Sequence, residues 1–206
     1  MSQNSPQSRG LPNLVASAPE WSAEVDARVS SVGMWIFMGA NAMLFVAFFF
    51  AFFYLRSLNN ADNWMNVWTV HPRRYIGGII VLLLVACAGL VVMGARSAAK
   101  APSTARMFFW LALLAGVLCC GFQVYEFKHL GFDPQMGGGY ASVFVGLKAV
   151  WLAEVVVAMV WLGTHIAQAT PIGDTTARPA SAAAFGNFLV SLAGVGVVAY
   201  LVLYFV

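Results

Sequence analysis

Five long runs with little or no charge divide the chain, at residues 32–54, 76–95, 107–125, 140–163 and 185–206. Each holds about 19–24 residues, enough at about 1.5 Å per residue to cross roughly 30 Å of hydrocarbon. Charged or Pro-containing segments separate them, so the pattern predicts an all-α integral membrane protein, a bundle of five transmembrane helices. A membrane β-barrel would need alternating segments of about 9–11 residues, whereas these runs are apolar on all sides. Residues 1–31 are rich in Ser, Pro and Asn and carry Arg9, Glu20, Glu24, Asp26 and Arg28. They hold no apolar signal-peptide core and too many acids for a mitochondrial presequence. They read as a flexible polar tail ahead of a membrane domain over 32–206.

Composition agrees: 61% of the 206 residues are hydrophobic and 9% charged, with a mean hydropathy of +0.78. Soluble domains carry about 25% charged residues. A net charge of +3 spread over the chain gives no basic patch, which excludes a nucleic-acid partner. The basic residues instead mark topology. Arg9, Arg28, Arg96, Lys100, Arg106 and Arg178 fall on one side, and Arg56, Arg73, Arg74 and Lys128 on the other. The excess on the first side predicts a cytoplasmic N-terminus.

Cys87, Cys119 and Cys120 all lie inside spans, without a CxxC motif, and read as small packing residues. Ala112, Gly116 and Cys120 stand four apart on the third span, the small-xxx-small pattern that lets helix backbones approach. Gly194 and Gly196 suggest a similar approach in the fifth span, and Gly77 and Gly78 a crowded crossing at the start of the second.

Redox chemistry carried out by the chain itself would need several intramembrane histidines. The three present, His71, His129 and His165, each lie at or beyond the end of a run. No P-loop or nucleophile–base pair occurs. Polar chemistry inside the membrane reduces to Glu126, at the end of the third span, and Lys148 and Glu154 in the fourth. If residues 128–139 form a tight hairpin, Glu126 returns opposite the early part of the fourth span and pairs with Lys148. The opposing reading is a solvated helix end at Glu126 with Lys148 snorkelling beside it. Glu154, in an otherwise apolar stretch, should face protein or a partner subunit. Asn41 and Asn187 read as interhelical hydrogen-bonding residues. The aromatic run ending the first span reads as lipid-facing bulk, and Trp64 and Trp68 as interfacial residues.

Several of these segments resemble a known family. Val32-Gly33-Met34-Trp35-Ile36-Phe37-Met38, followed by Ala42-Met43-Leu44-Phe45 and Tyr54-Leu55-Arg56, resembles the opening helix of short-form subunit III of haem-copper terminal oxidases. Gln123-Val124-Tyr125-Glu126-Phe127 is similar to that family's Tyr-Glu-Phe helix end, and Tyr140-Ala141-Ser142-Val143-Phe144 to the start of the helix after it. The polar signature departs. The ungapped match sets Asn41 where the family usually has a carboxylate. It sets Ala149, Trp151 and Glu154 on the family's Gly-x-His-x-x-His, and Gly186, Asn187, Phe188 and Ser191 on its Trp-His-Phe-x-Asp.

The resemblance implies a divergent member with a cytochrome c oxidase subunit III-like fold. It implies a non-catalytic subunit of an oxygen-reducing, proton-translocating complex in a bacterial or archaeal cell membrane, fed by cytochrome c or quinol. Such a subunit binds no haem or copper itself. Those belong to the catalytic subunit, which it accompanies together with subunit II, and phospholipid occupies a cleft between its helices. Its role is to support stability and proton uptake of the catalytic subunit in aerobic respiration. Two alternatives stand beside this one: an accessory subunit of a nitric oxide reductase or other redox membrane complex, and a small transporter or channel using Lys148 and Glu154 as a coupling pair.

Overall fold

The computed structural model describes residues 23–58, 64, 72–98, 100–132, 138–168 and 178–206. They form five helices: α1 (Ala23–Leu58), α2 (Arg74–Ser97), α3 (Pro102–Lys128), α4 (Gly138–Gln168) and α5 (Arg178–Phe205). Each is long and apolar enough to span a membrane, and the chain is a multi-pass membrane protein.

The helices run past the apolar runs. α1 starts at Ala23, so the last part of the segment expected as a tail is helical; residues 1–22 lie outside the described residues. Nothing between Ala23 and Ser31 is Gly or Pro, and a helix once formed continues into water where no breaker stops it. α3 begins earlier than its apolar run because Pro102, at the first helical position, has no N–H to leave unsatisfied. α4 continues to Gln168 and carries His165 within it.

α2 packs between α3 and α5, α4 joins α3 to α5, and α1 lies against α4 and α5. The core stripe of α4 is Phe144, Leu147, Trp151, Val155, Ala158 and Leu162, all buried at the three- and four-residue spacing of one helix face. α1 contributes little: Phe45 and Phe52 are buried, while Trp35, Ile36, Met43, Val46 and Phe50 are exposed. The aromatic run therefore divides, with Phe52 in the core and Phe50, Phe53 and Tyr54 facing outward. Trp64 does not stand apart at the interface. Its ring meets Phe52 at 5.1 Å and Tyr140 at 5.9 Å, and its carbonyl accepts the Tyr140 N–H at 3.2 Å. Trp68 lies outside the described residues.

Close contacts use small residues, as packing in lipid requires. A Cβ on Gly116 would stand 1.9 Å from Met159 Sδ, and one on Gly77 would stand 2.5 Å from the Tyr204 ring. Gly196 lies under Trp151, whereas Gly194 has open space. On α3 Cys119, not Cys120, points inward; it is buried, and its thiol donates to the Ile80 carbonyl at 3.4 Å.

Candidate functional site

The end of α3, the first turns of α4 and the last turn of α5 meet in a closed polar cluster. Lys148 Nζ lies 3.3 Å from Glu126 Oε2 and donates to Gln123 Oε1 at 3.1 Å. Gln123 Nε2 donates to Glu126 Oε2 at 2.9 Å, and the Tyr204 hydroxyl donates to Glu126 Oε1. Both carboxylate oxygens are thus engaged. The contact between Glu126 and Lys148 forms, and neither is a solvated or snorkelling group: each is 3% exposed. The connection between α3 and α4 is short enough to fold α4 back along α3, which brings the two together. Lys148 also lies 5.3 Å from the Tyr204 ring centre and 5.7 Å from that of Trp151, so ring faces complete its surroundings.

Aromatic residues fasten the same end of the bundle. Tyr140 donates to the Leu203 carbonyl at 2.7 Å, Tyr200 to the Arg74 carbonyl at 3.2 Å, and Arg74 stacks over Phe205 at 5.0 Å. The last turn of α5 is thereby tied to α2, α3 and α4. A cluster with every polar group occupied has no open position for a substrate. Its chemistry is to hold helices in one register.

A second polar pair lies nearer the middle of the helices. Asn41 Nδ2 on α1 donates to Glu154 Oε2 on α4 at 2.8 Å. Both residues are half-buried and border a groove of about 530 Å³ between α1 and α4, with Phe188 of α5 at its edge. The remaining signature positions separate. Trp151 is buried and donates Nε1–H to the Leu192 carbonyl at 3.2 Å. Ser191 is half-buried. Asn187 is exposed beside Arg96 in a groove of about 200 Å³, and the interhelical hydrogen bond expected of it does not form among the described residues. α5 turns its neighbours Phe185 and Phe188 inward instead.

His71 lies outside the described residues. Among the described residues His129 hydrogen-bonds only within its own helix end, where Nδ1 meets the Tyr125 carbonyl at 2.9 Å. His165 stacks on Trp161 near the end of α4. Among the described residues no three His, Cys, Asp or Glu converge, and these two histidines belong to opposite ends of the bundle. The described donors do not fit haem or copper.

Sequence reasoning missed Gln123 and Tyr204. Gln123 carried a signal, since it is an uncharged polar residue three positions before Glu126 on one helix face. Tyr204 carried none, because a tyrosine at a span's end reads as an interfacial residue.

No family model matches the chain. Over 159 residues, 75% of this chain and 73% of the relative, it is 30% identical to a cytochrome c oxidase subunit 3 from Alkalihalophilus pseudofirmus. It is 28% identical over 143 residues, 65% of each chain, to a cytochrome c oxidase subunit 3 from Bacillus subtilis. Against a protein named probable quinol oxidase subunit 3 from Staphylococcus haemolyticus, identity is 26% over 129 residues, 58% of this chain and 61% of the relative.

Proposed function

Because the chain belongs to the cytochrome c oxidase subunit 3 family, we propose that it is the non-catalytic third subunit of a haem-copper terminal oxidase, a cytochrome c or quinol oxidase of aerobic respiration. Haem and copper reside in the catalytic subunit, and this chain sustains that subunit's stability and proton uptake. The observation that carries the reading is the 30% identity extending over three quarters of the chain to a subunit 3. The closed cluster supports it, because a polar core with every group engaged suits a scaffold. Lys148 is held by Glu126 and Gln123 and Glu154 by Asn41, an arrangement that gives a transporter no coupled pair. The inner membrane, with a cytoplasmic N-terminus, is the location the basic residues favour.

Purification of the tagged chain in mild detergent tests the proposal. A haem-bearing catalytic subunit and subunit II are expected to copurify. Deletion of the chain is expected to leave the partner's haem spectrum intact while lowering its yield or sustained turnover. Purification without any haem protein, or loss of the haem signal from otherwise intact partner, would overturn it.

A further inference from the structure

Glu154 does not have to be an acid to make the bond it makes. Its Oε2 accepts from Asn41 Nδ2 at 2.8 Å, and the amide oxygen of a glutamine, alike in size and shape, would accept the same hydrogen bond. An amide here would also avoid the cost of an ionisable side chain inside the membrane. By helical rise Glu154 stands about 24 Å along α4 from Gly138 and about 21 Å from Gln168, so neither end of the helix brings it to water. The hydrogen bond to Asn41 therefore leaves the carboxyl unaccounted for. What a carboxyl has and an amide lacks is a proton it can release.

The surroundings of Glu154 differ from those of Glu126 in the same sense. Glu126 is sealed in the bundle and faces Lys148 at 3.3 Å, so the cation holds it as a carboxylate. Glu154 is half-buried beside the α1/α4 groove. The other residues bordering that groove are Phe37, Ala40, Asn41 and Leu44 of α1, Val150, Ala153 and Val157 of α4 and Phe188 of α5, none of them charged or titratable. No neighbouring charge there fixes Glu154 in one form. Asn41 and Glu154 are also two of the places where the polar signature departs. The resemblance sets Asn41 where the family usually has a carboxylate and Glu154 where it has a histidine. Those two places lie 113 positions apart in the chain and touch in the fold.

We infer that the meeting point of α1 and α4 is a proton-exchanging site within the membrane, with Glu154 as its acid, moved from α1 to α4 relative to the family pattern. Its ligand is a proton: the neutral carboxyl releases it and becomes a carboxylate, and the Asn41 amide donates to the charge that remains. The inference rests on the reading of the chain as an oxidase subunit and names the residue through which it sustains its partner. Turnover per haem of the purified complex, followed through many cycles and across pH, tests it. Glu154→Gln keeps the bond to Asn41, so the yield of haem-bearing complex should not change, while sustained turnover falls about three- to tenfold and its pH profile alters. The exchange Asn41→Glu with Glu154→Asn keeps the summed side-chain length and returns the acid to α1. It should restore turnover and pH profile to within about twofold of the unaltered chain. Sustained turnover and pH profile unchanged in Glu154→Gln would show that only the hydrogen bond matters and overturn the site. An exchanged pair no more active than Glu154→Gln would overturn the movement of the acid between helices. Purification of the unaltered chain without any haem protein would instead overturn the subunit reading on which both rest.

Discussion

Replacing Lys148 by methionine keeps the side chain's length and removes its charge from a site that is 3% exposed. Glu126 then loses the cation at 3.3 Å but keeps Gln123 at 2.9 Å and the Tyr204 hydroxyl. Removing one member of a buried ion pair costs about 3–5 kcal/mol, because the survivor stays desolvated without compensation. With two of its three donors left, Glu126 places Lys148→Met at the low end, about 3 kcal/mol. Adding Glu126→Gln removes the stranded charge, and the double variant is expected to recover about 2 kcal/mol of that loss. Unfolding of the purified protein in mixed micelles of mild detergent and dodecyl sulfate, followed by tryptophan fluorescence, reads both changes. An ordinary interhelical hydrogen bond in a membrane is worth about 0.6 kcal/mol. A Lys148→Met loss of only that size would reduce the contact to a neutral hydrogen bond and refute the charge argument, as would a double variant no more stable than the single one.

Four further predictions follow from other contacts. Tyr204→Phe removes one donor from Glu126 and is expected to destabilise by about 1–2 kcal/mol, with faster amide exchange in the last turn of α5 as the readout. Gly77→Ala drives a methyl into the Tyr204 ring, 2.5 Å from the added carbon, and is expected to cost about 1–3 kcal/mol in the same micelle titration. Gly116→Ala should cost less than about 1 kcal/mol despite its 1.9 Å approach to Met159 Sδ, because an unbranched thioether swings aside where a pinned ring does not. Asn41→Leu, which strips Glu154 of its partner at 2.8 Å, is expected to lose about 0.6–1.7 kcal/mol; an unchanged unfolding midpoint would show that the bond carries no stability.

The spans were legible because each apolar run is uniform and bounded by charge, so length alone decides them. Their ends were not, because a helix outruns its hydrocarbon wherever no Gly or Pro stops it, as from Ala23 to Ser31. The contact between Glu126 and Lys148 was legible for a local reason: a short connection returns α4 along α3, and a long cation stem spans the gap. Tyr204 enters the same cluster from 78 positions away, and only the rotation of α5 about its axis, which no local pattern records, aims its hydroxyl at Glu126. Asn41 and Glu154 were each conspicuous as polar residues in an apolar run. Their pairing across 113 positions needed the packing order of the helices, with α1 laid against α4 rather than against its sequence neighbour α2.

The two polar groups differ in closure, and that difference separates their roles. Around Glu126 both carboxylate oxygens are engaged by donors from three helices, so the cost of burial is met within this chain and the cluster needs nothing outside it. Around Glu154 one donor serves two oxygens, on a helix pair whose outer member, α1, buries little of itself. Polar closure is thus complete where α3, α4 and α5 meet and partial between α1 and α4, on the side where this chain's own packing is thinnest.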